Sequence, residues 1–176
     1  RTNLSSLGNA VRLHEGDIRS RDFIQKTISQ GHFDAIIHLA ARAGVRPSLK
    51  NPQLYIDTNI TGTHHLLEAA HQHGIGQFLF ASSSSVYGLA KKVPFTEDLP
   101  LPQTLSPYAA TKIAGEHLCG NYAHLYGMKV VCLRFFTVYG PWGRPDMVYF
   151  RMIASAINQS PFEFYGDGYI ERDFTY

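Results

Sequence analysis

The chain has 176 residues, is 44% hydrophobic and carries a formal net charge of +2 with the two signs well mixed, which allows one domain with a substantial core and gives no sign of nucleic-acid binding. No run of about 18 apolar residues spans a bilayer, and the start does not read as a signal peptide. Cys119 and Cys132 lack metal-ligand spacing and are too few for a disulfide framework, so a reducing, cytoplasmic setting is the expectation.

Residues 11–13 are a short strand candidate, followed by Gly16-Asp17-Ile18. An acidic side chain after such a strand suits a helix N-cap or an adenine amino group. Residues 19–30 carry Phe23, Ile24 and Ile28 at helical spacing, with Gly31 as the stop. The apolar run at 34–39 reads as a strand in a parallel sheet covered by helices, with His38 a satisfied core histidine. The turn at 40–46 is built from small residues, which permit close approach of a cofactor; Arg42 and Arg46 are surface cations able to neutralise phosphate or carboxylate. Residues 52–72 form the first long helix, with Ile56, Ile60, Leu66, Leu67 and Ala70 apolar and Asn59 a polar interruption that needs backbone partners. His64, His65, His71 and His73 split between two faces without a carboxylate or thiol to complete a set, and no metal site is expected.

Residues 77–81 form a strand that runs into Ser82, Ser83, Ser84 and Ser85, then Val86-Tyr87-Gly88. The excursion 89–106, with Pro94, Pro100 and Pro102, reads as an ordered, lid-like loop, with Glu97-Asp98 on a solvated turn. A helix opens at Pro107-Tyr108 and continues to 126, with Ala109, Ile113, Leu118 and Tyr122 on apolar faces. A buried strand at 129–135 ends in Phe136-Thr137-Val138-Tyr139-Gly140-Pro141, where Gly-Pro breaks regular structure. A helix at 148–157, a short strand at 162–165 and a turn at 166–168 follow.

The chemistry concentrates between the serines and Lys112. Tyr108 and Lys112 are four apart on one helix face, so phenol and ammonium share a site, and the serine hydroxyls at a strand's C-terminal end lie where open α/β sheets place ligands. A neighbouring cation favours the phenolate of a group whose reference pKa is about 10. Tyr108 with Lys112 thus makes a general base, and a serine can relay the proton or hold a substrate oxygen. The bland alternative is a half-buried tyrosine, a solvated lysine and a polar turn.

Several stretches in order, among them HLAARAGVR at 38–46, TNITGT at 58–63, ASSSSVYG at 81–88, YAATK at 108–112, RFFTVYGPWGRPDM at 134–147 and RDFTY at 172–176, make the chain resemble the extended short-chain dehydrogenase/reductase family, in its nucleotide-sugar epimerase/dehydratase branch and nearest its UDP-glucuronate 4-epimerases. The resemblance implies an α/β, Rossmann-like doubly wound parallel sheet with helices on both faces. It also implies an internal fragment lacking the first β-α-β segment and most of the C-terminal substrate lobe, with 1–141 a partial NAD-binding domain and 142–176 the start of a substrate-binding region whose last residues are weakly anchored.

The same resemblance assigns roles. Ser83, with Ser85 as the rival register, Tyr108 and Lys112 are catalytic. Asp17 and Ile18 lie against adenine; Leu39, Ala40, Ala41 and Ala43 approach the pyrophosphate and nicotinamide ribose; Asn59, Ser82 and Phe135 complete the NAD site with Tyr108 and Lys112. Ser84, Ser85, Thr137, Arg144 and Arg172 face a UDP-sugar, Arg144 being equally suited to an ion pair with Asp146. The implied reaction is 4-epimerisation through a 4-keto sugar. Other UDP-sugar epimerases, UDP-glucuronate decarboxylation, 4,6-dehydration and a catalytically silent binding module are the alternatives, and Ser84-Ser85 in place of an Asp-Glu pair weighs against dehydration. A homodimer through the helices at 52–72 and 108–126 is implied, with no nucleic acid or membrane partner.

Overall fold

The computed structural model describes residues 8, 10–101, 103–162, 171 and 173–176. Leu13–Phe135 makes one compact unit; the described residues of 1–12 and 136–176 make another.

In the first unit, α1 (Arg21–Ser29) starts where the Ser20 hydroxyl accepts from Phe23 N–H, the capping geometry that meets an orphan donor of the first turn. Strands β1 (Ala35–His38), β2 (Gln77–Ala81) and β3 (Lys129–Leu133) pair in parallel in that order, with Ile37 opposite Leu79 and Leu79 opposite Val131. Parallel neighbours need long crossovers, and the chain supplies helices for both. The first comprises α2 (Val45–Lys50), α3 (Pro52–Tyr55), a wider π turn (Ile56–Thr61) and α4 (Gly62–Gln72); the second is α5 (Pro107–Tyr126).

The α5 boundaries follow from sequence. Ser106 accepts from Ala109 N–H at 3.2 Å, Pro107 occupies the first helical position, and Gly127 adopts φ 67° at the C-terminal end, the asymmetry that proline's fixed φ and glycine's freedom at positive φ produce. Period-2 alternation in the strands sends Phe78 and Phe80 to one face, where they pack with Ile24 and Ile28 of α1, Leu67, Ala69 and Ala70 of α4, and Cys119 and Tyr122 of α5. Burying each phenylalanine contributes on the order of 2–3 kcal/mol. Gly115 lets α5 approach closely, since a Cβ there would lie 2.4 Å from Phe80 Cζ.

The parallel Rossmann-like arrangement agrees with the sequence reading, and the helix layer described here lies on the Phe78/Phe80 face. Ile37 and Val131, on the other face, remain exposed. Three local expectations need correction. Residues 11–13 are not a strand: Val11 and Leu13 are exposed and have no ladder partner among the described residues. The turn at 40–46 gives way at Val45 to α2, whose Pro47 falls in the first turn, where no N–H is required. The long helix at 52–72 is interrupted by the π turn, where Ile56, Thr58, Ile60 and Thr61 crowd a tight helix.

In the second unit, β4 (Thr137–Val138) pairs in parallel with β5 (Phe174–Thr175), and Tyr139 N–H donates to Thr175 O at 2.8 Å. The last residues are therefore tied by backbone hydrogen bonds rather than weakly anchored. Helix α6 (Val148–Ile157) has the expected bounds. Most of the short strand at 162–165 and the turn at 166–168 lie outside the described residues.

Candidate active site

Strand β2 ends at Ala81, whose carbonyl accepts from Lys112 Nζ at 2.7 Å. The ammonium also lies 4.9 Å from the Phe80 ring centroid, a favourable cation–π placement. Lys112 is only 4% exposed, and burial pushes its pKa down to about 8. An ammonium carries three donors, so the bond to Ala81 uses one of them.

Beyond Ala81 the serines turn. Ser82 and Ser83 are buried, while Ser84 and Ser85 are half-exposed. Ser83 is extended and caps a 3₁₀ turn (Ser84–Tyr87), its Oγ accepting from Ser85 N–H at 3.2 Å. Ser84 N–H donates to Phe135 O at 2.8 Å, which brings two of the expected ligand-facing residues into direct contact. Ser82 Oγ donates to Glu116 Oε1 at 2.5 Å.

Asn59 ties the site to the small-residue turn. Its Oδ1 accepts from Arg42 N–H at 2.7 Å, and its Nδ2 donates to Arg42 O and Thr111 Oγ1, each at 3.0 Å. Thr111 Oγ1 donates in turn to Tyr108 O at 2.8 Å. Tyr55 adds a second strut: its hydroxyl donates to Ala43 O at 2.8 Å, and its ring meets the Tyr108 ring edge-on at 6.3 Å. The partners expected for Asn59 in neighbouring backbone are thus found in the turn at 40–44, together with the first turn of α5.

His38 is a partial exception to its expected role. Thr63 has one hydroxyl hydrogen, donated to Asn59 O at 2.6 Å, so its oxygen accepts from His38 Nε2–H at 2.9 Å. That fixes the tautomer and leaves Nδ1 buried without a partner. Burial, reinforced by the Lys112 charge, lowers the His38 pKa to about 4.

Other expected residues are placed less centrally. Asp17 is exposed and forks onto Arg19, with the shortest contact 2.6 Å, which lowers its pKa to about 2; Ser20, not Asp17, caps α1. Ile18 packs under Gly62, and its carbonyl meets His65 Nδ1 at 3.2 Å. Leu39, Ala40 and Ala43 are exposed and Ala41 half-buried in the turn after β1. In the second unit, Thr137 N–H donates to Asp173 O at 3.4 Å, and Arg144 forks onto Asp146, the ion pair anticipated for it. Arg172 lies outside the described residues.

Two contributors were not singled out from sequence: Glu116, one turn beyond Lys112, and Arg134, just after β3. Arg134 Nε and Nη2 donate to Glu116 Oε1 and Oε2 at 3.0 and 2.8 Å. Burial alone would raise the Glu116 carboxyl, but the Arg134 fork and the Ser82 hydroxyl outweigh it and hold it below the ordinary range. The spacing Tyr108, Lys112, Glu116 on one face was the available signal.

A Rossmann-like domain with a tyrosine and lysine on a helix beside a hydroxyl-lined strand end is of the short-chain dehydrogenase/reductase kind. The sequence model of the NAD dependent epimerase/dehydratase family matches residues 1–176, and the chain belongs to that family. It is 47% identical over 165 residues to the UDP-glucuronate 4-epimerase of Thermodesulfobacterium geofontis, covering 94% of this chain and 51% of that protein. Among solved structures, UDP-glucuronic acid 4-epimerase from Bacillus cereus, in complex with UDP-glucuronic acid and NAD, aligns with a TM-score of 0.90 at 42% identity, covering 99% of this chain and 55% of that one. A dTDP-glucose 4,6-dehydratase from Streptomyces venezuelae, DesIV, aligns with the same TM-score at 30% identity, over 98% of this chain and 53% of that one. The chain thus spans about half the length of the curated relatives it matches.

Proposed function

We propose that the chain forms the catalytic core of an NAD-dependent nucleotide-sugar 4-epimerase that interconverts UDP-glucuronate and UDP-galacturonate. The carrying observation is Lys112, buried on the face of α5 that bears Tyr108 and bonded to the end of the strand that delivers the serines. The residues present suit NAD: Ala40, Ala41 and Ala43 leave room beside a turn braced by Asn59 and Tyr55, and Lys112 has donors beyond the one given to Ala81.

Bound NAD supplies a reversible hydride acceptor. Lys112 holds ribose hydroxyls with the donors left over from Ala81. Tyr108 takes the proton of the sugar 4-hydroxyl as the C4 hydrogen leaves as hydride, and Ser83 shares the hydrogen-bond path. The 4-keto sugar turns its other face, hydride returns to C4, and Tyr108 gives the proton back to the oxygen. No net oxidation results, and C4 is inverted.

In this reading Asp17 and Ile18 lie against adenine, with Leu39, Ser82, Asn59 and Phe135 completing the cofactor site. Ser84, Ser85, Thr137, Arg144 and Arg172 face the sugar nucleotide. The division into a cofactor region at 1–141 and a substrate region from 142 follows from the same roles. The exposed Leu125 and Tyr126 at the end of α5 support a homodimer through the helices at 52–72 and 108–126. A cytoplasmic role in polysaccharide biosynthesis completes the proposal. Dehydration is disfavoured because Ser84 and Ser85 lack the carboxylates that elimination across C5 and C6 requires.

The test supplies full-length protein with NAD and UDP-glucuronate and follows products by anion exchange and proton NMR. UDP-galacturonate without carbon dioxide or accumulated NADH is expected. Carbon dioxide release would replace epimerisation by decarboxylation, and an untouched uronate with turnover of UDP-glucose would move the assignment to a neutral sugar.

A further inference from the structure

The Glu116–Arg134 pair joins four segments. Glu116 is on α5, and Arg134 follows β3. Arg134 Nη1 donates to Glu97 O in the 89–106 loop at 3.1 Å and reaches the Tyr87 hydroxyl at 3.4 Å. The guanidinium carbon also lies 5.1 Å from the Tyr87 ring centroid, and Tyr87 stacks on Phe95 at 4.6 Å and 19°. Glu116 accepts from Ser82 Oγ on the remaining side. The Arg134 and Glu116 side chains are only 16% and 12% exposed, respectively.

Burying two charges is costly, and an apolar pair of the same volume commonly stabilises a fold as well. What apolar side chains cannot do is orient the Ser82 hydroxyl, fork two carboxylate oxygens and clasp the Glu97 carbonyl at once. Resting on the reading of the site given above, we propose that Glu116 and Arg134 are positioning residues: the pair fixes the serine turn beside Lys112 and latches the 89–106 loop to it, touching neither substrate nor cofactor.

The experiment compares full-length wild type with Arg134→Lys and with Glu116→Leu/Arg134→Met. Each is measured for thermal unfolding, for kcat and KM on the UDP-sugar that wild type turns over, and for native-state trypsin cleavage at Lys91 and Lys92, which are exposed in the loop. The apolar double variant is expected to melt close to wild type yet lose kcat on the order of tenfold to a hundredfold, the scale of a small misplacement. Cleavage at Lys91 and Lys92 is expected to rise at least about tenfold as the latched loop opens. Arg134→Lys keeps the charge without the fork and is expected to shift both readouts in the same direction by less; it carries the test if the double variant does not fold.

Unchanged kcat and cleavage in a folded variant would reduce the pair to a structural ion pair and overturn the inference. A wild type inert toward every UDP-sugar would refute the functional reading instead, and the cleavage comparison would still decide whether the latch exists.

Discussion

Lys112 and His38 both lie beside the Phe80 ring near the end of β2, and each is buried with a displaced pKa. The Lys112 value falls from 10.5 to about 8 through burial. The unfolded chain therefore binds more protons than the folded one between those values, and stability rises with pH across that window. The His38 value falls from 6.5 to about 4, through burial and then Lys112. The unfolded state again binds more protons within the shift, so this contribution is present above 6.5 and is lost as pH falls toward 4. At about 1.4 kcal/mol per pKa unit, each shift is worth at most about 3.5 kcal/mol. Urea unfolding of the full-length protein across pH is expected to show both slopes, with His38→Phe flattening the acid one and Lys112→Met the alkaline one. Identical profiles in wild type and variants would mean that neither group is shifted. The sequence identified Lys112 because Tyr-x-x-x-Lys is local, whereas the bare Nδ1 of His38 depends on Thr63, twenty-five residues away, and no local pattern carries it.

At the scale of elements, what was legible was whatever short-range rules decide. The β2 strand, α5 with its proline entry and glycine exit, and α6 have the bounds expected from periodicity and caps. What was not legible depended on neighbours. Residues 11–13 have strand composition but no ladder partner among the described residues, and the π turn reflects a compromise between crowded β-branched residues and the partners that Asn59 must reach. The π turn has a structural role, as such widened turns frequently do: it carries Asn59, which joins the 40–44 turn to Thr111 and so to the first turn of α5. Replacing Asn59 by Ala leaves the Arg42 N–H and C=O and the Thr111 hydroxyl without this partner. A loss of about 2–4 kcal/mol in unfolding free energy is expected, together with reduced kcat. Chemical denaturation of the full-length variant checks the first and steady-state kinetics the second; stability unchanged within error would remove Asn59 from the frame of the site.

At the scale of the molecule, the parallel sheet places a tyrosine, a lysine and a serine turn at the carboxyl end of its central strand, where a doubly wound sheet gathers ligands. The fold class was legible because apolar runs of strand length alternate with long helical segments, although one sheet face, with Ile37 and Val131, is exposed. The sugar preference proposed above was not legible in the same way, because the residues assigned to it, such as Ser84, Thr137 and Arg144, are far apart along the chain and no local pattern joins them. In the proposed cycle C4 is oxidised and reduced without release, with Tyr108 moving the proton and the C4 hydrogen never reaching water. The most direct measurement gives the full-length protein UDP-glucuronate deuterated at C4, in light water, and reads the product by NMR. Inverted UDP-galacturonate that keeps its deuterium at C4, with turnover reduced on the order of a hundredfold or more by Tyr108→Phe, is the result predicted. Deuterium exchanged for solvent hydrogen, or full turnover by Tyr108→Phe, would contradict it.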